Sequence, residues 1–321
     1  MLLAASAALA LALPLAAQEE PKGAPAPSEI VAAAPKADWV AIAAEDLLVM
    51  TLAPDADGKP RQVVIQLMPA PFSQGWVHNI RLFARAGWYD GISVNRVQDN
   101  YVTQWGDPNY DNPEATGKPK PLPQGLKVMG EAEYVSRPSE ARLQLMVDDL
   151  AQAEYPELFD NYSMGTFLWH GWPLATDQSM AWPTHCYGMV GVGRNYSPDT
   201  GSGAELYTVI GHAPRHLDRN IALVGRVIEG MQHLSSLPRG SGALGFYTAE
   251  EAGKRTPILS VRVASDLAAG EQPSFEYLST ESATFATYAE AIANRRDPFF
   301  IVPAGGADIC NIRVPVRRVA G

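Results

Sequence analysis

Cysteine is scarce, positive charge is in deficit, and apolar runs are short; each shortage removes a class of function. The two cysteines, Cys186 and Cys310, form no Cys-x-x-Cys pair, which excludes a dithiol redox site. Two readings of them stand: a disulfide, the expectation for an exported chain, or two buried thiols. Bridging so distant a pair would stabilise the fold by roughly 4–5 kcal/mol on chain-entropy grounds. Basic residues number 25 against 35 acidic, a formal charge of -10; a nucleic-acid partner needs a basic face and is excluded. The apolar run Leu2–Ala17 has about 16 residues where a membrane helix needs about 20. Small residues end it and Gln18-Glu19-Glu20 follow, so residues 1–17 read as a signal peptide. No Lys or Arg precedes the run, and a retained anchor is the alternative. Removal of the signal gives an exported chain, periplasmic or secreted, with no stable membrane insertion.

Familiar catalytic signatures are missing too. There is no Gly-x-Ser-x-Gly elbow, no dinucleotide fingerprint around Gly188, Gly191 and Gly193, and no carboxylate pairing of glycosidase type. His212 and His216 have a ligand-like spacing, but Pro214 lies between them and spoils a helix. No metal and no cofactor are expected.

What is present suits a globular protein: 46% of the 321 residues are hydrophobic, enough for a sizeable core. Residues 18–36, rich in Pro, Ala, Glu and Gly, read as a mobile linker. Leu47–Leu52 and Val63–Leu67 read as strands around the turn Pro54–Gly58. Pro71 opens a helix with an apolar stripe of Trp76, Ile80 and Phe83, ended by Gly87. Residues 108–123 are loop, and helix-compatible material surrounds Leu143 to Tyr155. Trp169, Trp172 and Trp182 cluster in a segment that lines a groove or, as aromatic clusters more commonly do, fills a core. Strands follow at His185–Arg194, Glu205–Gly211, Ile221–Val227 and Ile258–Val263, with a short helix over Ile228–Leu237. Residues 280–296 form an amphipathic helix presenting Phe285, Tyr288, Ala289 and Ile292.

The stretch Gly87–Asp107 stands out. Period-2 alternation places Val94 and Arg96 on one strand face; beyond the turn, Tyr101 pairs with Thr103 and Val102 with Gln104. An arginine in so apolar a run requires a carboxylate, a carbonyl or a ligand. Pairing with Asp99 or Asp107 is the structural reading of Arg96.

The ordered set Ala70-Pro71, Val77 with Asn79, Ile80, Leu82 and Phe83, and Gly87-Trp88-Tyr89-Asp90-Gly91 resembles the cyclophilin-type peptidyl-prolyl isomerases. Val94-Asn95-Arg96 stands where that family has Phe-His-Arg, and Gln104-Trp105-Gly106-Asp107 where it has Gln-Gly-Gly-Asp. Gly191-Val192-Gly193-Arg194, Glu205-Leu206-Tyr207 and the segment from Leu217-Asp218 to Gly230-Met231 are similar to later motifs in the same order. The likeness spans 47–265 with a divergent insertion at about 108–185, inside a domain read as 37–267. It implies a mainly β fold: a closed eight-stranded barrel capped by two helices, followed by a C-terminal helical extension over 268–321 packed on the barrel.

The resemblance also implies rotation about Xaa-Pro bonds of proline-containing polypeptides. Arg96, Tyr101 and Gln104 take the catalytic places. Val192, Gly193, Arg194, Glu205, Tyr207, His216 and Leu217 take the substrate-binding ones. There are departures: Glu205 replaces a groove Gln, His216 a Trp, and Ile221 a His. A non-catalytic proline-peptide-binding chaperone or interaction module on the same barrel is therefore the alternative to an isomerase of exported proteins.

Overall fold

The computed structural model describes residues 23–110, 115–137, 160–177 and 179–319. The stretches Leu2–Ala17 and Leu143–Tyr155 lie outside the described residues.

Eight strands form one antiparallel sheet: Leu47–Leu52 (β1), Arg61–Leu67 (β2), Ser93–Val97 (β3), Val102–Gly106 (β4), Met189–Val192 (β5), Leu206–Val209 (β6), Leu223–Glu229 (β7) and Ile258–Val263 (β8). Their order is β8-β1-β2-β7-β5-β6-β4-β3. The two edges meet: Gly91 N–H donates to the Ile258 carbonyl at 2.9 Å, and Ile258 N–H to that of Ile92 at 2.8 Å. With Val94 N–H donating to the Thr256 carbonyl at 2.9 Å, these bonds nearly close the sheet into a barrel. The β1–β2 hairpin pairs from Leu47↔Gln66 to Leu52↔Arg61, and Asp55 Oδ1 shapes its turn by accepting N–H bonds from Asp57 and Lys59.

Leu48, Met50, Leu52, Val63, Ile65 and Leu67 fill the barrel interior. Their alternates Leu47, Val49 and Val64 are buried outside it, under Phe275 and Ala264. The runs Leu47–Met50 and Val63–Ile65 are apolar without alternation because both faces are covered.

Two helices cap the barrel, Gln74–Arg85 (α1) and Gln232–Ser235 (α2). The stripe of α1 is the expected one, with Trp76, Ile80 and Phe83 buried. Its start differs. Pro71 lies in a turn after a cis Ala70–Pro71 bond, and the helix begins at Gln74, whose side chain donates to the carbonyls of Met68 and Phe72. The helix expected over 228–237 shrinks to one turn because β7 runs on to Glu229. Gly230 then breaks the chain direction with φ +81, where a Cβ would lie 2.1 Å from the Gln62 carbonyl oxygen.

The insertion contributes a three-stranded sheet, Gly165–Trp169, Trp172–Thr176 and Ala181–Pro183. Trp169 and Trp172 join the barrel's own core, so the tryptophan cluster is packing and not groove. The C-terminal extension forms a further sheet with the chain's beginning, Trp39–Ala41 beside Phe275–Leu278 beside Val316–Arg318. Its helix Ala283–Ala293 is capped by Ser282 Oγ accepting from Phe285 N–H at 3.1 Å. Phe285, Tyr288 and Ala289 pack with Trp39, Leu278 and Ile312. The expected mobile linker is corrected from Pro27 onward: Pro27–Ala32 is a helix, because Ile30, Val31 and Ala34 find an apolar partner in this extension. Cys186 and Cys310 are disulfide-bonded, which decides between the two readings of the cysteines.

Candidate functional site

A bulge decides where Arg96 points. In the β3–β4 ladder Val94 pairs with Trp105 and Arg96 with Gln104, so Asn95 is the extra residue. Asn95 is buried, its amide donating to the Gly106 carbonyl at 3.1 Å. Strict alternation would put Val94 and Arg96 on one face; the bulge shifts the phase. Val94 enters the barrel core, and Arg96 emerges on the outer wall. Tyr101 is likewise displaced from the face of Thr103. It precedes β4 and faces out with Val102 and Gln104, while Thr103 Oγ1 turns away to donate to the Leu234 carbonyl at 3.0 Å.

These residues line a groove of about 260 Å³. Arg96, Tyr101, Val102 and Gln104 form one side, and Gly193, Arg194 and Tyr207 the middle. Leu217 and Ile221 lie opposite, and Leu244 with Phe246 close the end. The half-buried Arg96 guanidinium donates from Nε to the Leu244 carbonyl at 2.6 Å, from Nη1 to Gln104 Oε1 at 3.1 Å, and from Nη2 to Gln98 Oε1. It lies 5.6 Å from the ring centres of both Tyr101 and Phe246. All three bonded partners are uncharged oxygens. The acids that might have neutralised it are engaged elsewhere: Asp99 with Arg239 at 3.0 Å, and Asp107 with the backbone N–H groups of Asn109 and Lys120. The pairing of Arg96 with Asp99 or Asp107 is thereby set aside. Burial lowers its pKa from the usual arginine value, yet arginine keeps its charge at any physiological pH.

Gln104 is oriented from both ends, since its Nε2 donates to Glu205 Oε2 at 3.4 Å. Burial pushes the phenols of Tyr101 and Tyr207 upward, Tyr207 well above the ordinary value, so both are protonated walls. Three expected binding residues are placed otherwise. Val192 points into the barrel core, fully buried, because the strand's outward positions are Gly191 and Gly193. Glu205 sits behind Gln104; a Cβ on Gly106 would lie 1.9 Å from its Oε1, so that glycine makes its room. His216 is exposed at the rim, stacked on Tyr101 with centroids 6.4 Å apart, and does not line the groove. Gly193, Arg194, Tyr207 and Leu217 line the groove.

Sequence reasoning missed Leu244 and Phe246. They come from a loop without periodicity, in which only the glycines of Gly240 to Gly245 signal a turn. It missed as well a buried pair behind Tyr207. His185 Nε2 lies 2.9 Å from Tyr207 Oη, and His185 Nδ1 lies 2.8 Å from Asp218 Oδ1. A larger cavity, about 520 Å³, lies between the barrel and the C-terminal tail. Its buried Arg226 is held by Gln66 Oε1, the Gly171 carbonyl and the face of Trp172, and none of the motif residues of β3 and β4 reaches it.

The family model of the cyclophilin type peptidyl-prolyl cis-trans isomerase/CLD matches residues 62–263. No curated protein matches the sequence. The crystal structure of cyclophilin AquaCyp293 from Hirschia baltica is similar at 20% identity with a TM-score of 0.61, covering 87% of this chain and 93% of that one. A cyclophilin type peptidyl-prolyl cis-trans isomerase of Cryptosporidium parvum, crystallised in the presence of the dipeptide Ala-Pro, aligns at 11% identity and a TM-score of 0.36 over 67% of this chain and 98% of that one. A family match across more than half of the chain, carried by a nearly closed barrel of the same fold, makes this protein a member of the cyclophilin-type peptidyl-prolyl cis-trans isomerases and an enzyme of that class.

Proposed function

We propose that the protein turns Xaa-Pro bonds of exported polypeptides, with Arg96 stabilising the twisted amide. The uncatalysed barrier is about 18–20 kcal/mol because the peptide C–N bond is conjugated. Twisting breaks the conjugation and leaves an amine-like lone pair on the proline nitrogen. A cationic donor beside that nitrogen favours the twisted state over the planar one, and only such a difference accelerates the step. The observation that carries this reading is Arg96: a cation at the groove wall held by three uncharged oxygens and, among the described residues, paired with no acid. Gln104 supplies amide contacts for the substrate backbone, and Tyr101, Val102 and Tyr207 give the apolar wall on which a proline ring rests. Export is supported by the Leu2–Ala17 run and by the Cys186–Cys310 bridge, which suits an oxidising compartment.

An isomerisation assay on a proline peptide tests the mechanism. Arg96→Ala is expected to lose about 100-fold or more in kcat/KM, the scale of one preorganised donor, with peptide affinity changed little. Arg96→Lys recovers only part, since a lysine does not present a planar fork. Equal activity in wild type and Arg96→Ala removes the role assigned to Arg96. Affinity for proline peptides without any rate gain in wild type points instead to a binding module. The amino terminus of the exported protein, read by mass spectrometry, is expected close to Gln18.

A further inference from the structure

Behind the groove runs a chain of buried polar side chains that the isomerisation step does not use. Tyr207 Oη, His185, Asp218, Arg215 and Asp160 follow one another through contacts of 2.5 to 3.1 Å. His185 is wholly buried, and the side chains of Asp218, Arg215 and Asp160 nearly so. Hydrogen directions follow from the charges. Asp218 Oδ2 faces the permanently charged Arg215 Nε at 2.5 Å, and its Oδ1 already accepts the His185 backbone N–H at 2.9 Å. A carboxylate so placed is acceptor-only, so the hydrogen between it and His185 sits on Nδ1. Burial disfavours a second proton on the ring, which leaves Nε2 an acceptor; Tyr207 O–H is the donor.

Tyr207 forms the floor of the groove, and its ring crosses Gly191, where a Cβ would lie 2.3 Å from Oη. Val102, Val209 and Ile221 pack around the ring, while its outer end, over Gly191, meets no side chain of that residue. The hydrogen bond to His185 fixes that outer end at the hydroxyl. His185 and Asp160 both belong to the insertion, whereas Asp218 and Arg215 belong to the turn that also carries Leu217.

We propose that His185 and Asp218 are positioning residues for peptide binding: they fix the Tyr207 ring as the groove floor, and the insertion, through His185 and the Asp160–Arg215 bridge, braces the groove from behind. The inference rests on the groove assignment made above. A polar anchor of this kind holds the ring rigidly without placing a hydroxyl in the proline pocket, because the O–H is spent on His185.

A double-mutant cycle of Tyr207→Phe and His185→Gln tests it, run on the full chain with the disulfide intact and folding checked by far-UV circular dichroism. Each single variant is expected to raise Kd and KM for a proline peptide about fivefold, the scale of one buried hydrogen bond, with kcat largely kept. In the Tyr207→Phe background, His185→Gln is expected to add almost nothing to Kd, because no hydroxyl remains to hold. A purely structural histidine would lower stability equally in both backgrounds and leave Kd alone. Unchanged Kd in His185→Gln, or fully additive losses, overturns the proposal. Peptide binding with no wild-type turnover defeats the isomerase mechanism while the Kd cycle still decides the positioning role. Should the wild type bind no proline peptide, the flip rate of the Tyr207 ring by NMR decides without substrate: His185→Gln is expected to accelerate it at least tenfold, and an unchanged rate overturns the proposal.

Discussion

At the scale of single residues the groove tolerates little, and Gly191 illustrates why. It pairs with Tyr207 in the β5–β6 ladder, and the tyrosine hydroxyl occupies the space a side chain would need. Gly191→Ala is expected to destabilise by about 1–3 kcal/mol, the range for overpacking a close-packed site, and to weaken peptide binding by pushing the ring up. Urea denaturation and a peptide titration check the two effects. His185 carries a second expectation. Burial holds its pKa below the ordinary 6.5, the Asp218 contacts opposing and the Arg215 and His216 charges assisting. The unfolded chain therefore takes up a proton that the native histidine refuses. Its stabilising contribution is complete above about pH 6.5 and is lost as pH falls from there through the lower native value. His185→Gln should flatten the stability profile between about pH 6.5 and 5, above the range where most carboxylates titrate. A profile that keeps the wild-type slope there would place the sensitivity elsewhere.

Among the elements, those defined by local pattern were legible and those defined by a departure from pattern were not. The hairpin β1–β2, the strand β8 and the stripe of α1 follow directly from apolar periodicity and turn chemistry. The order of motifs singled out Arg96, Gln104 and Tyr207, and the three line one groove. Period-2 alternation nevertheless assigned Arg96 to the face of Val94, because nothing local announces the bulge at Asn95. Only the tertiary fit, with Asn95 reaching the Gly106 carbonyl, selects it. Leu244 and Phe246 could not be foreseen, since a wall made by a loop 148 residues from Arg96 has no short-range signature. Leu244 adopts φ +55, an uncommon region for a branched residue, while its carbonyl accepts from Arg96. The helix α1 gives the element-scale prediction. Ile80 is fully buried in the barrel cap, so Ile80→Ala is expected to cost about 2–5 kcal/mol by removing apolar atoms and leaving a cavity. Kd for a proline peptide should change little, because α1 does not line the groove; thermal denaturation beside a binding titration separates the two.

Over the whole molecule, the two ends of the chain build a second core against the barrel. Trp39 comes from one end, Leu278, Phe285 and Ile312 from the other. Phe275 and Val316 cover the outer faces of β1 and β2. Two kinds of tie hold this layer. One is covalent, Cys186 to Cys310, closing a loop with a sequence separation of 124. The other is packing, strand pairing from Phe275↔Arg318 to Tyr277↔Val316, and the Arg318–Glu229 ion pair to β7. Reduction, or Cys310→Ser, removes the first and leaves the second. The unfolded chain then regains loop entropy, and stability is expected to fall by about 2–5 kcal/mol. The slope of the denaturation curve distinguishes the ways this can happen, because m follows the surface exposed on unfolding. If packing holds the tail in place, the midpoint drops and the slope stays close to that of the oxidised protein. If the disulfide alone kept the tail docked, the native state has already exposed that surface and the slope falls as well. The buried aromatic cluster and the antiparallel pairing favour the first result. A fallen slope with intact barrel signals would show that the second core depends on the bridge.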